Sequence, residues 1–382
     1  MTLSDNQYAG ARRDAKYAVL GAGGFVGAAL VERLYRAGAQ VVPLIRRMGT
    51  GGALLARFAL PQRLANVLDP ESLRAGFAGT DVVFHCVTGD RAAVVQGLQN
   101  SLAAAQTAGV RRLVYLSSAV VHGFRPKTAV DEASRFDPPS WSEYAKNKAS
   151  AEKIIDKWSG GPETVVLRPS IIYGPRSKDW SEAPARQIAS GTAYLVDQGH
   201  GYMNEIHIAH LLDAMLLAAH HPAAANQVYV LQDGFGRTWH DYYRSLCELL
   251  GVEFGTLTAV SWQDVERNSS QLVRYQKWIK DAPSVLRSAM WHDPLKAWLK
   301  QAPGFESLRR FASARPAVGA ANGSGPQLPA ITPDLGIALL HTYPQPLVDA
   351  KIRTELGFTT RLSLAQTIEG LGRWYRFIGL VR

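Results

Sequence analysis

Residues 17–27 read Tyr-Ala-Val-Leu-Gly-Ala-Gly-Gly-Phe-Val-Gly. Tyr17–Leu20 is a short apolar run that stops at Gly21, and Ala28–Ala37 follows with the helical recurrence of Ala, Leu and Val, with Gly38 as the C-cap. The segment predicts a strand, a tight turn and a helix. Gly21, Gly24 and Gly27 keep a GxxGxxG spacing. Such glycines serve where a backbone turns with positive φ, where it must approach a pyrophosphate, and where helix and strand touch. A helix beginning near Gly24 turns free N–H groups and its positive dipole end toward that phosphate. Gly21, Gly24, Phe25, Val26 and Gly27 are therefore candidate dinucleotide contacts. A glycine trio alone also closes helices for structural reasons; its place between strand and helix gives it weight.

Further along, Val41–Ile45, Asp81–Val87 and Arg112–Ser117 predict strands, and Ala92–Ala108 a long helix. Strands alternating with helices argue for an α/β fold with a doubly wound parallel sheet. Pro43 is a discord, because it removes a ladder donor from the second strand. The end of that strand, where dinucleotide folds often carry a carboxylate for the adenosine ribose, holds Arg46 and Arg47. A guanidinium cannot accept from ribose hydroxyls but pairs bidentately with a 2′-phosphate, which favours NADP over NAD; the alternative is two solvated arginines. Asn66 and Val67 are expected to end the third strand beside an adenine ring, with Asn66 either bonding the base or serving a turn. Val87, closing the run from Asp81, is a further candidate cofactor contact.

Chemistry is most legible at Ser118, Tyr144 and Lys148. Tyr144-Ala-Lys-Asn-Lys148 is YxxxK, which puts phenol and ammonium one turn apart on one helical face. A phenol of ordinary pKa about 10 is a poor base at neutral pH. An adjacent cation stabilises the phenolate, making Tyr144 an acid and base for an alcohol or ketone oxygen. Lys148 can also bind a nicotinamide ribose, and Ser118, at a strand end, can polarise the same oxygen.

In the order VLGAGGFVG, DVVFHCV, LVYLSSAVVHG, EYAKNKASAEKII, VVLRPSIIYGP and NEIHIAHLLDAM, the chain resembles the extended short-chain dehydrogenase/reductase superfamily, the NAD-dependent epimerase/dehydratase group. The likeness covers about 17–251 and returns at AKIRTELGFTTRLSLAQTIEGLGRWYR. It implies a Rossmann-type domain over 17–175 after a polar leader, 1–16. It implies a smaller substrate lobe drawn mainly from 176–382, with about 202–232 returning to the nucleotide domain. Ser118, Tyr144 and Lys148 become the catalytic triad, and Pro169 a neighbour of the nicotinamide. A homodimer through helices near 92–108 and 143–158 is also implied. The implied activity is hydride exchange between nicotinamide and a hydroxyl or carbonyl carbon of a sugar- or lipid-like small molecule. Epimerisation with retained cofactor is the alternative; a catalytically silent cofactor-binding scaffold is the alternative outside enzymes.

Departures narrow the reaction. Ala119 and Val120 stand where dehydratases of the group carry a carboxylic pair. Ile171 and Met203 stand where nucleotide-sugar epimerases commonly carry an Asn and a diphosphate-binding Arg. Both changes favour plain carbonyl or hydroxyl redox.

The remaining features set outer bounds. The 382 residues leave room for one two-lobed domain or two domains, with a net charge of +10 that favours anionic partners. Cys86 and Cys247 are the two cysteines, in no zinc-ligand or CxxC pattern, which fits a reducing cytoplasm. The N-terminus has no apolar core of a secretory signal, and no apolar stretch reaches the roughly 18–20 residues of a membrane span. His207, His210, His220 and His221 lack acidic or thiol partners at ligand spacing, so no metal is expected. Between Trp262 and Phe311, aromatic residues interleave with Lys and Arg. That pattern suits a lid or lobe packing, or peripheral membrane contact; no nucleic-acid module is recognised. The stretch 315–335 reads as a flexible loop.

Overall fold

The computed structural model describes residues 10–47, 49–58, 60–267 and 333–381. By compactness the chain falls into two units, Met1–Ala259 with Leu339–Arg382, and Val260–Ala338. Most of the aromatic and basic stretch from 262 to 311, and nearly all of the loop expected at 315–335, lie outside the described residues. In the second unit the Ser261 hydroxyl donates to Asp264 at 2.7 Å.

The first unit is built on a seven-stranded sheet. Its strands are β1 (Lys16–Leu20), β2 (Gln40–Ile45), β3 (Arg63–Leu64), β4 (Val82–His85), β5 (Arg112–Leu116), β6 (Glu163–Pro169) and β10 (Gln227–Leu231). Their order is β10-β6-β5-β4-β1-β2-β3, and every pairing is parallel. Parallel strands must be covered on both faces, so they read as continuous apolar runs. The sheet accordingly has two cores. Tyr17, Val19, Phe84, Val114 and Leu167 point to one, Ala18, Leu20, Val83, Leu113 and Tyr115 to the other. Helix α1 (Phe25–Arg36) and helix α7 (Ile208–His220) cover the first face. On the second face lie α3 (Pro70–Phe77), α4 (Gly97–Thr107) and α5 (Glu143–Asp156). The chain runs outward from β1 through β2 and β3, then returns to β4 on the other side of β1. A crevice opens where that order reverses, at the carboxyl ends of β1 and β4.

Several local expectations need correction. The third strand is only Arg63–Leu64, and Asn66 with Val67 lies in the turn beyond it. Asn66 Oδ1 accepts from Leu68 N at 3.1 Å, so its side chain shapes the turn. The long helix begins as a wide turn at Ala92–Gln96 before α4. Pro43 does sit inside β2, level with Val19. Backbone groups alternate sides along a strand; Leu44 O accepts from Ala22 N on the β1 side and Ile45 O from Ala65 N on the β3 side. Pro43 therefore faces β3, which begins opposite Leu44, so the missing N–H forfeits no ladder bond.

A smaller apolar cluster gathers later segments. Short strands β7 (Ile171–Tyr173) and β9 (Glu205–His207) pair in parallel. Helices α6 (Ala183–Ala189), α8 (Trp239–Leu250) and α10 (Leu364–Phe377) pack through Ile188, Trp239, Tyr242, Leu371 and Tyr375. Both α8 and α10 start with capping boxes, Thr238 with Asp241 and Ser363 with Gln366. Between them in sequence, α9 (Ala350–Leu356) lies against β10, with Ile352 and Leu356 in the first core.

Helix α1 approaches the end of β1 so closely that a Cβ on Gly27 would stand 2.3 Å from Gly21 O and 2.9 Å from Ala22 Cα. Gly27→Ala should therefore lower the free energy of unfolding by about 1–3 kcal/mol through overpacking. Urea denaturation measures it, and an unchanged midpoint would show that the contact relaxes freely.

Candidate active site

The crevice holds a cleft of about 1060 Å³. One end is walled by Gly23–Ala28, the middle by Leu116–Val120, Tyr144 and Lys148, and the far side by Pro169–Ile172, Trp180, Tyr202–Asn204, Tyr343 and Trp374. Gly21, at φ +82, makes the turn below it; a Cβ there would stand 2.8 Å from Cys86 O. Gly24 caps α1 with extended backbone, no side-chain cap and no acidic residue in the first turn. The first N–H groups of α1 are thus left for an anion, which is what the pyrophosphate of a dinucleotide needs.

Ser118 lies just past β5, half-buried, its hydroxyl accepting from Val120 N at 3.4 Å. Tyr144 stands in the first turn of α5, behind the cap formed where Ser142 Oγ accepts from Ala145 N. Tyr144 is 43% exposed and lines the cleft. The cleft walls still desolvate the phenol, which raises its pKa, and the nearby Ser118 hydroxyl acts in the opposite direction. Ser118 and Tyr144 are thus brought together. Lys148, one turn on, is 1% exposed. Its ammonium donates to Leu116 O at 2.7 Å, and to Val87 O and Tyr115 Oη at 3.4 Å each. It also lies 4.8 Å from the centre of the Tyr115 ring. Burial lowers its pKa to about 8. Ser118 and Tyr144 line the same stretch of the cleft, whereas the Lys148 ammonium is turned to the ends of β4 and β5. The expectation of a phenol pKa lowered by the neighbouring lysine gives way to one raised by burial.

The other predicted residues divide. Pro169 lines the cleft. Val87 enters through its carbonyl on Lys148. Arg46 and Arg47 are exposed at the end of β2, Asn66 is exposed and Val67 buried, and none of the four borders the cleft. The departures noted in sequence, Ala119, Val120, Ile171 and Met203, all border it. Of the histidines, His210 Nδ1 donates to Asp233 at 2.7 Å, because its Nε2 must accept from Leu362 N.

Sequence reasoning missed the layer behind the site. Ser117 Oγ donates to Glu152, which also accepts from Arg168 Nε at 2.9 Å and Nη2 at 2.7 Å. Arg168 further donates to Glu132 O at 3.0 Å. The pair is 4% and 5% exposed, and it fixes the end of β5 against α5, beside the residues that face the cleft. Glu152 falls four residues after Lys148, so extending YxxxK by one helical turn was the available signal. No signal announced that Trp180, Tyr202, Tyr343 and Trp374 would meet on the far wall.

The pattern of the 3-beta hydroxysteroid dehydrogenase/isomerase family matches residues 18–261. The chain belongs to that family. It is thereby an extended short-chain dehydrogenase/reductase, a nicotinamide-dependent dehydrogenase, reductase or epimerase. It is 31% identical over 246 residues to 4-hydroxy-2-methyl-3-oxo-4-farnesyl-3,4-dihydroquinoline-1-oxide ketoreductase of Stigmatella aurantiaca, covering 62% of this chain and 73% of that protein. It is 26% identical over 234 residues to N-acetyl-alpha-D-glucosaminyl-diphospho-ditrans,octacis-undecaprenol 4-epimerase of Escherichia coli O157:H7, covering 55% and 65%. In fold it is similar to dTDP-glucose 4,6-dehydratase of Streptomyces venezuelae with NAD and TYD bound, at TM-score 0.66 and 19% identity over 95% of this chain and 97% of that one. Among the described residues no helix is long and apolar enough to cross a membrane.

Removing one member of a buried ion pair strands the other. Arg168→Met should cost about 3–5 kcal/mol of stability, and Arg168→Met with Glu152→Leu distinctly less. Thermal and denaturant unfolding of the two variants make the comparison, and equal losses would refute the pairwise account.

Proposed function

We propose that this enzyme reduces a carbonyl on a largely apolar small molecule, with NADP as the preferred cofactor. The observation that carries the reading is the Ser118 and Tyr144 pair set between the glycine turn and a far wall of Ile171, Trp180, Tyr202, Met203 and Trp374. Nothing charged replaces the Asn and Arg of nucleotide-sugar epimerases at Ile171 and Met203. Both side chains are at least nine-tenths buried, so that stretch of wall favours rings and alkyl groups over a sugar diphosphate. The greater identity to a ketoreductase than to an epimerase points the same way. Arg46 and Arg47 support NADP through the charge of a 2′-phosphate; both are exposed and free to turn toward it.

The bound nicotinamide would supply the hydride; the chain supplies the rest. Ser118 and Tyr144 hold the carbonyl oxygen from two sides, and Tyr144 gives it a proton. A phenol whose pKa burial has raised is protonated at neutral pH, the state a donor needs. Lys148 holds positive charge at the ends of β4 and β5, and would take a ribose hydroxyl by exchanging one of its three present acceptors. The aromatic and aliphatic stretch of the far wall covers the substrate from the side opposite the glycine turn. A homodimer through α4 and α5 belongs to the same proposal and rests on the family resemblance of those segments. The two free cysteines suit a reducing compartment such as the cytoplasm.

Tyr144→Phe should abolish turnover and leave dinucleotide affinity within about twofold, because only the transferred proton is removed. Stopped assays and a binding titration read the two, and normal turnover in that variant discards the assignment. The reduced-nicotinamide absorbance should fall in step with product; product without that fall would instead mean epimerisation. The Lys148 ammonium is lost as pH rises through about 8, so kcat/KM for reduction should decline above that value. A profile flat to about pH 10, near the ordinary lysine pKa, would remove Lys148 from the mechanism.

A further inference from the structure

Beyond β7 the chain turns at Gly174-Pro175-Arg176, and Arg176 sits at φ +72. That left-handed conformation costs a residue other than glycine roughly 1–2 kcal/mol, and it persists only where the surroundings impose it. The loop is indeed pinned. Ser177 N donates to Gly174 O at 3.1 Å, the Ser177 hydroxyl to Ile172 O at 3.0 Å, and Gly174 N to Ser181 Oγ at 3.0 Å. The result is an arginine aimed across the nucleotide half. Its side chain borders the same cleft as Gly23–Ala28, and its Nη1 meets Glu32 at 3.2 Å.

Glu32 stands on α1 two turns beyond its start, and it is oversubscribed. Arg36 meets it at 2.9 Å and Arg57 at 2.5 Å as well. One carboxylate is thus shared among three guanidiniums. Arg176 has the longest of the three contacts and keeps 35% of its side chain open. Of the three it alone borders the cleft, which the uncapped start of α1 also borders. A planar fork donor that shares its carboxylate with two other guanidiniums, held by a strained backbone on the cleft that the helix start also borders, suits an anion with several oxygens.

We propose that Arg176 is an anion clamp that closes on the pyrophosphate of the bound dinucleotide, exchanging part of its contact with Glu32 for the phosphate oxygens. This rests on the reading of the glycine turn as the cofactor site. Its role differs from that of Arg46 and Arg47, which stand at the end of β2 and would meet only a 2′-phosphate. The clamp therefore serves NADP and NAD alike.

The test is a fluorescence titration of the full chain with NADPH and NADH, and a competition with ADP-ribose, which carries the pyrophosphate without nicotinamide. Arg176→Gly keeps the left-handed backbone and removes only the side chain. It should weaken all three ligands by about tenfold, as loss of one charge-assisted contact does, with a thermal midpoint equal to or above that of the parent. Glu32→Gln, which releases Arg176, should tighten all three. Arg46→Ala with Arg47→Ala should weaken NADPH alone. If Arg176→Gly binds the three ligands as the parent does, Arg176 is only a structural partner of Glu32 and the clamp is wrong. A loss for NADPH and NADH but not for ADP-ribose would move the contact to the nicotinamide half and overturn the pyrophosphate assignment. Should Arg176→Gly not fold, unchanged affinity in Glu32→Gln is enough to reject the clamp. A parent chain that binds no dinucleotide fails the cofactor reading first, and the clamp with it.

Discussion

Helix α1 touches the end of strand β1 without a side chain between them, and the rest of the molecule is arranged around that contact. Gly27 lets the helix lie against Gly21 and Ala22, and Gly21 in turn passes close under the carbonyl of Cys86 at the end of β4. Three backbones therefore converge where the strand order reverses. The crevice is a product of that convergence. It is narrow at the turn because no Cβ intrudes, and it opens only where β5 and β6 carry Ser118 and Pro169 to its edge. A fold of this kind can vary its far wall freely, because the near wall is made of main chain.

The electrostatics of the site follow from what the crevice buries. A lysine that is 1% exposed keeps its proton near neutrality because two carbonyls and a tyrosine hydroxyl accept from it. The same burial drives His85 to about 3 and the Cys86 thiol to about 12, so both neighbours stay neutral beside it. This buried cation, with neutral His85 and Cys86 beside it and the buried Glu152–Arg168 pair one helical turn on, shapes the local field, and the phenol of Tyr144 sits at the edge of that field with solvent on one side. This division makes Tyr144 the group positioned to exchange a proton and Lys148 the group positioned to hold charge.

Much of this was legible in the sequence, for identifiable reasons. Glycine spacing, apolar runs and the YxxxK turn are local patterns, and each maps onto one element through a fixed period. The third strand was misjudged because its boundary depends on a turn that Asn66 makes with its own side chain, a choice that apolar content does not record. Pro43 looked like an error and was not one, since its harmlessness depends on where β3 begins. The direction of the Lys148 ammonium was illegible too: spacing places it on the face of Tyr144, whereas three acceptors from other strands decide where it points. The buried Glu152 and Arg168 come from α5 and β6, so their meeting needs the folded sheet.

The far wall carries a consequence for biosynthesis. Trp374 and Tyr343 complete a cleft whose opposite side is Gly23–Ala28, so its two sides are separated by almost the whole described chain. During translation the glycine turn, β1 and β4 can assemble early, since all of them lie before residue 86, whereas the substrate side waits for the segment around Trp374 to leave the ribosome. A growing chain of this enzyme can thus acquire its nucleotide-facing surface well before it has anywhere to hold a substrate.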